Sequence, residues 1–161
     1  MNKAVFLDRD GVLIRERGDY NYLPEHFIIN EGVAEALGIL QQKNFLLIVV
    51  SNQSGVAKGI YSLQTIERFH DKLSAQLKQS GIIISEIYYC PHHPDFGLCL
   101  CRKPLPLMIE KALARFDIRP EESFLIGDAE RDILAAEAAG VKTFLIKPNQ
   151  NFVEIANQIA G

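Results

Sequence analysis

Ala4-Val5-Phe6-Leu7-Asp8-Arg9-Asp10-Gly11-Val12 runs an apolar stretch straight into two carboxylates. A run this short and this uniformly hydrophobic predicts a strand at the centre of a parallel sheet, where both faces are covered. The acids then stand at its C-terminal edge, where open α/β sheets place their ligands. Two carboxylates one residue apart point differently once the strand ends. One can attack a substrate or bind a cation while the other carries a proton. Gly11 permits the tight turn that brings both into one small volume. The pattern points to an enzyme.

Outward from this strand, apolar runs alternate with helical patterns, as in a doubly wound parallel sheet of three layers. A loop through Pro24 leads to a helix over 32–44, for which Asn30 is the expected cap. Phe45–Val50 is a second buried strand, ending in Ser51-Asn52-Gln53-Ser54-Gly55. Ser62 caps a helix through Gln79, and Gly81 suits its left-handed end. Ile82–Tyr89 supplies a third strand, followed by an irregular Cys/His/Pro-rich stretch over 90–104. A helix over 105–116, the strand 123–128, a helix over 129–139, the strand 141–146 and an amphipathic tail over 152–159 complete the pattern. No repeat or linker interrupts it, so one domain over residues 1–161 is expected.

The 161 residues are 48% hydrophobic with a net charge of −3. That charge gives no electrostatic reason to expect nucleic acid or an anionic membrane as partner. No apolar stretch approaches the roughly 20 residues of a membrane span. The start lacks the layout of a secretory signal. Three cysteines, all between positions 90 and 101, do not resemble a disulfide framework. A reducing, cytoplasmic setting is the expectation; the oligomeric state is not written in the chain, and a monomer is compatible with it.

Three strands end on chemically useful residues: Asp8 and Asp10, Ser51 and Asn52, and Gly127-Asp128 with Asp132 one turn later. In a parallel sheet these ends share one edge. Lys103, read as opening a helix, can reach the same edge. Such a set suits phosphoryl transfer: carboxylates hold Mg²⁺ through hard oxygens, and a hydroxyl, backbone amides and a lysine bind phosphoryl oxygens. Each residue alone has a blander reading. Asp128 could cap the helix behind it, Ser51 could be a turn residue, Lys103 a solvated surface charge and Arg9 an outward-facing one. Asp132 is open between orienting its neighbours and lying on a helix surface. Their joint placement favours catalysis.

Taken together, Asp8-Arg9-Asp10-Gly11-Val12, Ser51-Asn52, Lys103 and Gly127-Asp128-Ala129-Glu130-Arg131-Asp132 resemble the four ordered motifs of the haloacid dehalogenase (HAD) superfamily of phosphatases, over residues 4–147. The resemblance implies a HAD-like fold and a Mg²⁺-dependent phosphomonoesterase acting through an aspartyl-phosphate. Asp8 would be nucleophile and Mg²⁺ ligand. Asp10 would be the general acid/base, meeting the metal through its backbone carbonyl. Ser51 and Lys103 would hold the transferring group, and Asp128 would complete the Mg²⁺ site. Arg9, Asn52, Gln53 and Ser54 are expected at the substrate. Val12 departs from the family, many members of which carry threonine there.

Cys90-Pro91-His92-His93-Pro94-Asp95-Phe96-Gly97-Leu98-Cys99-Leu100-Cys101 offers a Cys-x-His and a Cys-x-Cys pair six residues apart. Cys90, His92, Cys99 and Cys101 would make a full tetrahedral Zn²⁺ shell with no vacancy for water, hence a structural site. His93 fits that register less well, and the alternative is that the cysteines are merely small hydrophobes. His26 and His70 read as surface or satisfied core residues. Arg102-Lys103-Pro104 follow at once, so such a knot would position the lysine, and Arg102 could read a second anionic group. This loop resembles the zinc-bearing branch that holds heptose-1,7-bisphosphate phosphatases and histidinol-phosphatases. Ser51–Gly59 looks more like the former, whereas the loop is shorter than in many of them and Arg17-Gly18-Asp19-Tyr20 matches their substrate loop only in part.

About 40 residues separate Asp10 from Ser51, too few for a cap domain beside the loop and helix already there. A site roofed only by loops 15–23, 53–60 and 90–103 suits a small phosphorylated sugar or a lid supplied by a partner, and the resemblance implies removal of the C7 phosphate of a heptose bisphosphate. Histidinol phosphate or another small phosphate ester is the runner-up. A phospho-acceptor receiver domain is disfavoured, because its acceptor Asp ends a third strand and here Tyr89-Cys90 stand there.

Overall fold

A computed structural model describes residues 1–161. Five parallel strands form one sheet in the order β3-β2-β1-β4-β5. They are β1 (Lys3–Leu7), β2 (Phe45–Asn52), β3 (Ile84–Cys90), β4 (Phe124–Gly127) and β5 (Lys142–Leu145). Five helices connect or follow them: α1 (Val33–Gln42), α2 (Leu63–Gln79), α3 (Leu107–Arg115), α4 (Glu130–Ala138) and α5 (Val153–Ala160). The architecture is the doubly wound α/β one expected, with β1 central and paired to both β2 and β4.

Alternation along the strands builds two cores. Val5, Leu7, Leu47, Val49 and Ile126 pack on one face against Leu37 and Leu40 of α1, Ile66, Phe69 and Leu73 of α2, and Phe152 and Ala156. Ala4, Phe6, Ile48, Val50 and Leu125 pack on the other against Met108 and Ala112 of α3 and Ala135 and Ala136 of α4. With both faces covered, β1 and β2 read as continuous apolar runs rather than alternating ones. No helix is long and apolar enough to cross a membrane.

The boundaries differ from expectation where side chains do something other than cap. Gly32, at φ +80°, caps α1 instead of Asn30, whose amide donates to Val12 O at 3.1 Å. A Cβ at Gly32 would lie 2.5 Å from Asn151. β3 begins at Ile84 rather than Ile82, because Gln41 answers the Gly81 carbonyl and the Ile83 N–H from α1. Helix α3 starts at Leu107, so Lys103 sits in the turn ahead of it and does not open it. Ser62 caps α2 as expected, accepting from Thr65 N at 3.1 Å.

The amphipathic tail is part of the core, because Phe152 is fully buried between α1 and the sheet. Phe152→Ala is expected to lower the free energy of unfolding by about 3–5 kcal/mol, the usual cost of truncating a buried phenylalanine. Urea denaturation checks this through a lower midpoint at an unchanged slope.

Candidate active site

The strand order brings β2, β1 and β4 side by side, so their C-terminal ends adjoin. Asp8 follows β1, Ser51 and Asn52 end β2, and Asp128 follows β4. Lys103 arrives from the turn before α3 and Asp132 from the first turn of α4. The Lys103 Nζ, 2% exposed, donates to Asp8 Oδ1 at 3.0 Å and to Val50 O at 2.7 Å, and lies 2.6 Å from Asp132 Oδ1. Burial works against its charge, and Asp8 and Asp132 more than offset it, holding the lysine above its ordinary pKa. For Asp8, burial comes first and the neighbouring carboxylates add to it, so its carboxyl is pushed up to about 8 despite Lys103.

Two glycines permit this crowding. A Cβ on Gly11, at φ +88°, would fall 2.0 Å from Asp128 Oδ2. One on Gly127 would lie 2.4 Å from the Asp132 Cβ. Asp132, left open by the sequence, is fully buried; besides its lysine contact it accepts from Ala129 N at 3.1 Å.

Asp10 has the opposite surroundings. Its carboxylate accepts from Arg9 Nε at 3.0 Å and Nη2 at 2.8 Å, from Asn21 Nδ2 at 2.9 Å and from Gln53 Nε2 at 3.2 Å. Two expectations are corrected here. Arg9, expected at the substrate, is fully buried beneath Asp10, with its guanidinium 4.6 Å above the Phe69 ring and donating to Asn21 O at 2.9 Å. Gln53, also expected at the substrate, is buried and donates to Ser51 Oγ at 2.8 Å while accepting from Tyr61 OH at 2.6 Å. Both act on Asp10 from behind; an alternating strand pattern says nothing about which way residues turn once the strand has ended.

A cleft of about 360 Å³ opens over this edge, lined by Asp8, Asp10, Asn52, Ser54, Arg102 and Asp128 among the expected residues. Asp19 and Tyr20, from the stretch that partly matches a substrate loop, line it too, as do Glu16 and Arg131, to which the sequence assigned no role. Loop 15–23 was expected overhead, but only the fold shows which of its side chains turn inward. Asn52 lines the cleft and clamps the lysine's backbone, donating to Lys103 O at 3.1 Å and accepting from Lys103 N at 3.0 Å. Ser54 stands 3.4 Å from Tyr20 OH.

Carboxylate oxygens of Asp8, Asp128 and Asp132 lie within 4.8 Å of one another. The side chain of Asp10 is absent from that cluster because Arg9, Asn21 and Gln53 occupy it. Lys103 and the Ala129 amide occupy both oxygens of Asp132, whereas Lys103 takes only one oxygen of Asp8. The hard oxygens of Asp8 and Asp128 are therefore those that suit Mg²⁺, and excess negative charge in a buried site favours a cation there. The sulfurs and imidazole of the 90–101 loop also converge. Cys90 Sγ is 3.0 Å from Cys101 Sγ and 3.7 Å from Cys99 Sγ, and His92 Nδ1 is 3.2 Å from Cys101 Sγ and 3.5 Å from Cys90 Sγ. Zn–S bonds of about 2.3 Å imply tetrahedral edges of about 3.8 Å, so this donor set fits zinc. His93 lies outside it, accepting from Asp95 N at 3.2 Å.

His70, given no role from the sequence, is buried against Arg9, with Nε2 3.2 Å from Nη1. Burial, then the Arg9 charge, drives its pKa down to about 3 from the usual 6.5. Between those values the unfolded chain binds a proton that the folded one refuses, so stability falls as pH drops below about 6.5. His70→Gln removes this term. Its unfolding free energy is expected to lose on the order of 2 kcal/mol less than the parent's between pH 7 and 5, measured by urea titration at each pH.

The HAD-hydrolase-like family model matches residues 100–157. The chain is 43% identical over 147 residues to the D-glycero-beta-D-manno-heptose-1,7-bisphosphate 7-phosphatase of Haemophilus ducreyi, covering 88% of this chain and 80% of that one. It is 39% identical over 151 residues to the D-glycero-alpha-D-manno-heptose-1,7-bisphosphate 7-phosphatase of Burkholderia mallei, covering 90% and 79%. Its fold superposes with a TM-score of 0.85 at 34% identity on the crystal structure of the D,D-heptose 1,7-bisphosphate phosphatase of B. bronchiseptica complexed with magnesium and phosphate, covering 96% and 86%.

Proposed function

The chain belongs to the HAD-like hydrolases, within the heptose-1,7-bisphosphate 7-phosphatases, and on that footing we propose that it is a phosphomonoesterase removing the C7 phosphate of D-glycero-D-manno-heptose 1,7-bisphosphate. The observation that carries this reading is the meeting of Asp8 and Asp128, on adjoining strand ends, with Lys103 from the turn before α3, beneath an open cleft. Asp8 is the nucleophile. Lys103 and the Arg9 amide, at 2.8 Å, engage its Oδ1, so attack on phosphorus falls to Oδ2.

The new Asp8–phosphorus bond forms as the bond to the sugar oxygen breaks, and Asp10 delivers the proton that oxygen needs. Water then attacks the aspartyl-phosphate, giving its proton to Asp10; phosphate leaves and Asp8 is regenerated. Asp8, Asp128 and the Asp10 carbonyl would hold Mg²⁺, which offsets phosphoryl charge when bound. Ser51 and Lys103 hold the transferring group, and Arg102 engages the phosphate that stays. For Asp10 to carry that proton one of its four donors gives way, and Gln53 Nε2, at 3.2 Å, makes the longest of these bonds.

Asp8→Asn is expected to cut kcat on the heptose bisphosphate by at least about 10⁴-fold in protein whose far-UV circular dichroism still matches the folded parent's, since the nucleophile is lost and the fold is not. Phosphate release by the parent, with Mg²⁺, on both anomers of that sugar, histidinol phosphate and an aryl phosphate tests the substrate. A higher kcat/KM on histidinol phosphate than on either anomer would overturn the heptose assignment.

Cys90, His92, Cys99 and Cys101 are assigned to structural Zn²⁺, with a reducing, cytoplasmic setting the matching compartment. The loop they close ends on Arg102 and Lys103, and Arg102 Nη1 donates to His92 O at 3.3 Å. Metal analysis should find one zinc per chain. Stripping it with a chelator should raise KM for the bisphosphate more than KM for the aryl phosphate; a zinc-free, fully active protein would remove the assignment.

A further inference from the structure

Asn149 lies in the loop between β5 and α5, more than a hundred residues from the cleft-lining loop it grips. Its backbone has φ +65°, a left-handed conformation that asparagine tolerates better than most residues. Held so, its N–H donates to Gly11 O at 2.8 Å. Its side chain meanwhile answers both backbone groups of Glu16: Glu16 N donates to Asn149 Oδ1 at 2.6 Å, and Asn149 Nδ2 donates to Glu16 O at 2.9 Å. Asn30 Nδ2 steadies the same Oδ1 from 3.3 Å. These are the only hydrogen bonds the Glu16 backbone makes.

Beyond the clamp, Glu16 Oε1 accepts from Gly18 N at 2.6 Å, and Glu16, Gly18, Asp19 and Tyr20 line the cleft together. On its other side the clamp reaches Gly11, the position against which Asp128 packs. One residue, its backbone on Gly11 and its side chain on Glu16, therefore registers the 16–20 wall against the turn that follows Asp8. Glu16 and Asp19 line the cleft with carboxylates, a group that can accept hydrogen bonds from hydroxyls and that repels phosphate. A substrate without hydroxyls gains nothing from that wall.

We propose that Asn149 is a positioning residue for substrate specificity: by clamping Glu16 it holds the hydroxyl-reading wall of the cleft at the distance a polyhydroxylated phosphate ester requires, without touching the ester. This rests on the phosphatase reading above. Asn149→Gly tests it, since glycine keeps the left-handed backbone and the bond to Gly11 while deleting the side chain.

Losing the paired bonds should raise KM for the heptose bisphosphate about five- to ten-fold with kcat near the parent's, and leave kcat/KM on an aryl phosphate unchanged. Amide exchange at Glu16 should accelerate at least about ten-fold. An unaltered KM for the sugar, or equal losses on both substrates, would overturn the proposal. Should the glycine variant fail to fold, Asn149→Asp keeps the acceptor for Glu16 N and loses the donor to Glu16 O; parental KM there would overturn it equally. If the parent prefers another polyol phosphate, the heptose assignment fails, while Glu16 exchange and the ratio of that substrate to the aryl phosphate still judge the clamp.

Discussion

An ammonium buried among carboxylates sets the terms for the rest of this molecule. Taking the Lys103 charge out of water costs several kcal/mol, and only near-complete pairing offsets it. The partners come from three separate pieces of chain: Asp8 after β1, the Val50 carbonyl within β2 and Asp132 in the first turn of α4. None of these can shift without stranding a charge, so β1, β2 and α4 are coupled at the sheet edge where chemistry would occur. The absence of a side chain at Gly127 is part of the same arrangement, for it lets α4 bring Asp132 close enough to join.

Asp8 and Asp10, one residue apart, are made chemically different by what packs behind them. Asp8 is buried, which lifts its pKa, and sits among anions with one cation, a setting that favours a metal. Asp10 faces four donors, backed by Arg9, whose own guanidinium rests on Phe69 and a neutral His70. Pushing the environments of two carboxylates apart is what would let a single fold give them different work, as proposed above. The difference in surroundings is built in part by helix α2, which supplies both Phe69 and His70 although neither lines the cleft.

Much of the site was legible because it depends on where strands end. Apolar runs terminating at Asp8, Ser51 and Gly127 mark those ends, and a parallel sheet brings them to one edge whatever the details. The four metal-suited residues of the 90–101 loop were legible for a related reason: soft donors packed into a short Pro/Gly-rich segment have few other reasons to occur together. Arg9 and Gln53 were misplaced because side-chain direction just past a strand follows local turns, not the two-residue period. Asn149, Asn21, His70 and Glu16 carried no signal, since their partners lie in other elements and nothing local distinguishes an asparagine that clamps from one that meets solvent.

Local pattern alone therefore determined the α/β architecture, the sheet edge that carries the acids and the identity of most polar groups gathered there. Hydrophobic periodicity and strand-end chemistry are properties of neighbouring residues, and the chain displays them directly. Tertiary structure alone decided which carboxylate is buried with the lysine, which is wrapped by donors, and which loop residues turn into the cleft. Those outcomes are set by contacts between segments distant along the chain, where burial and the pairing of charge, not sequence spacing, choose the geometry.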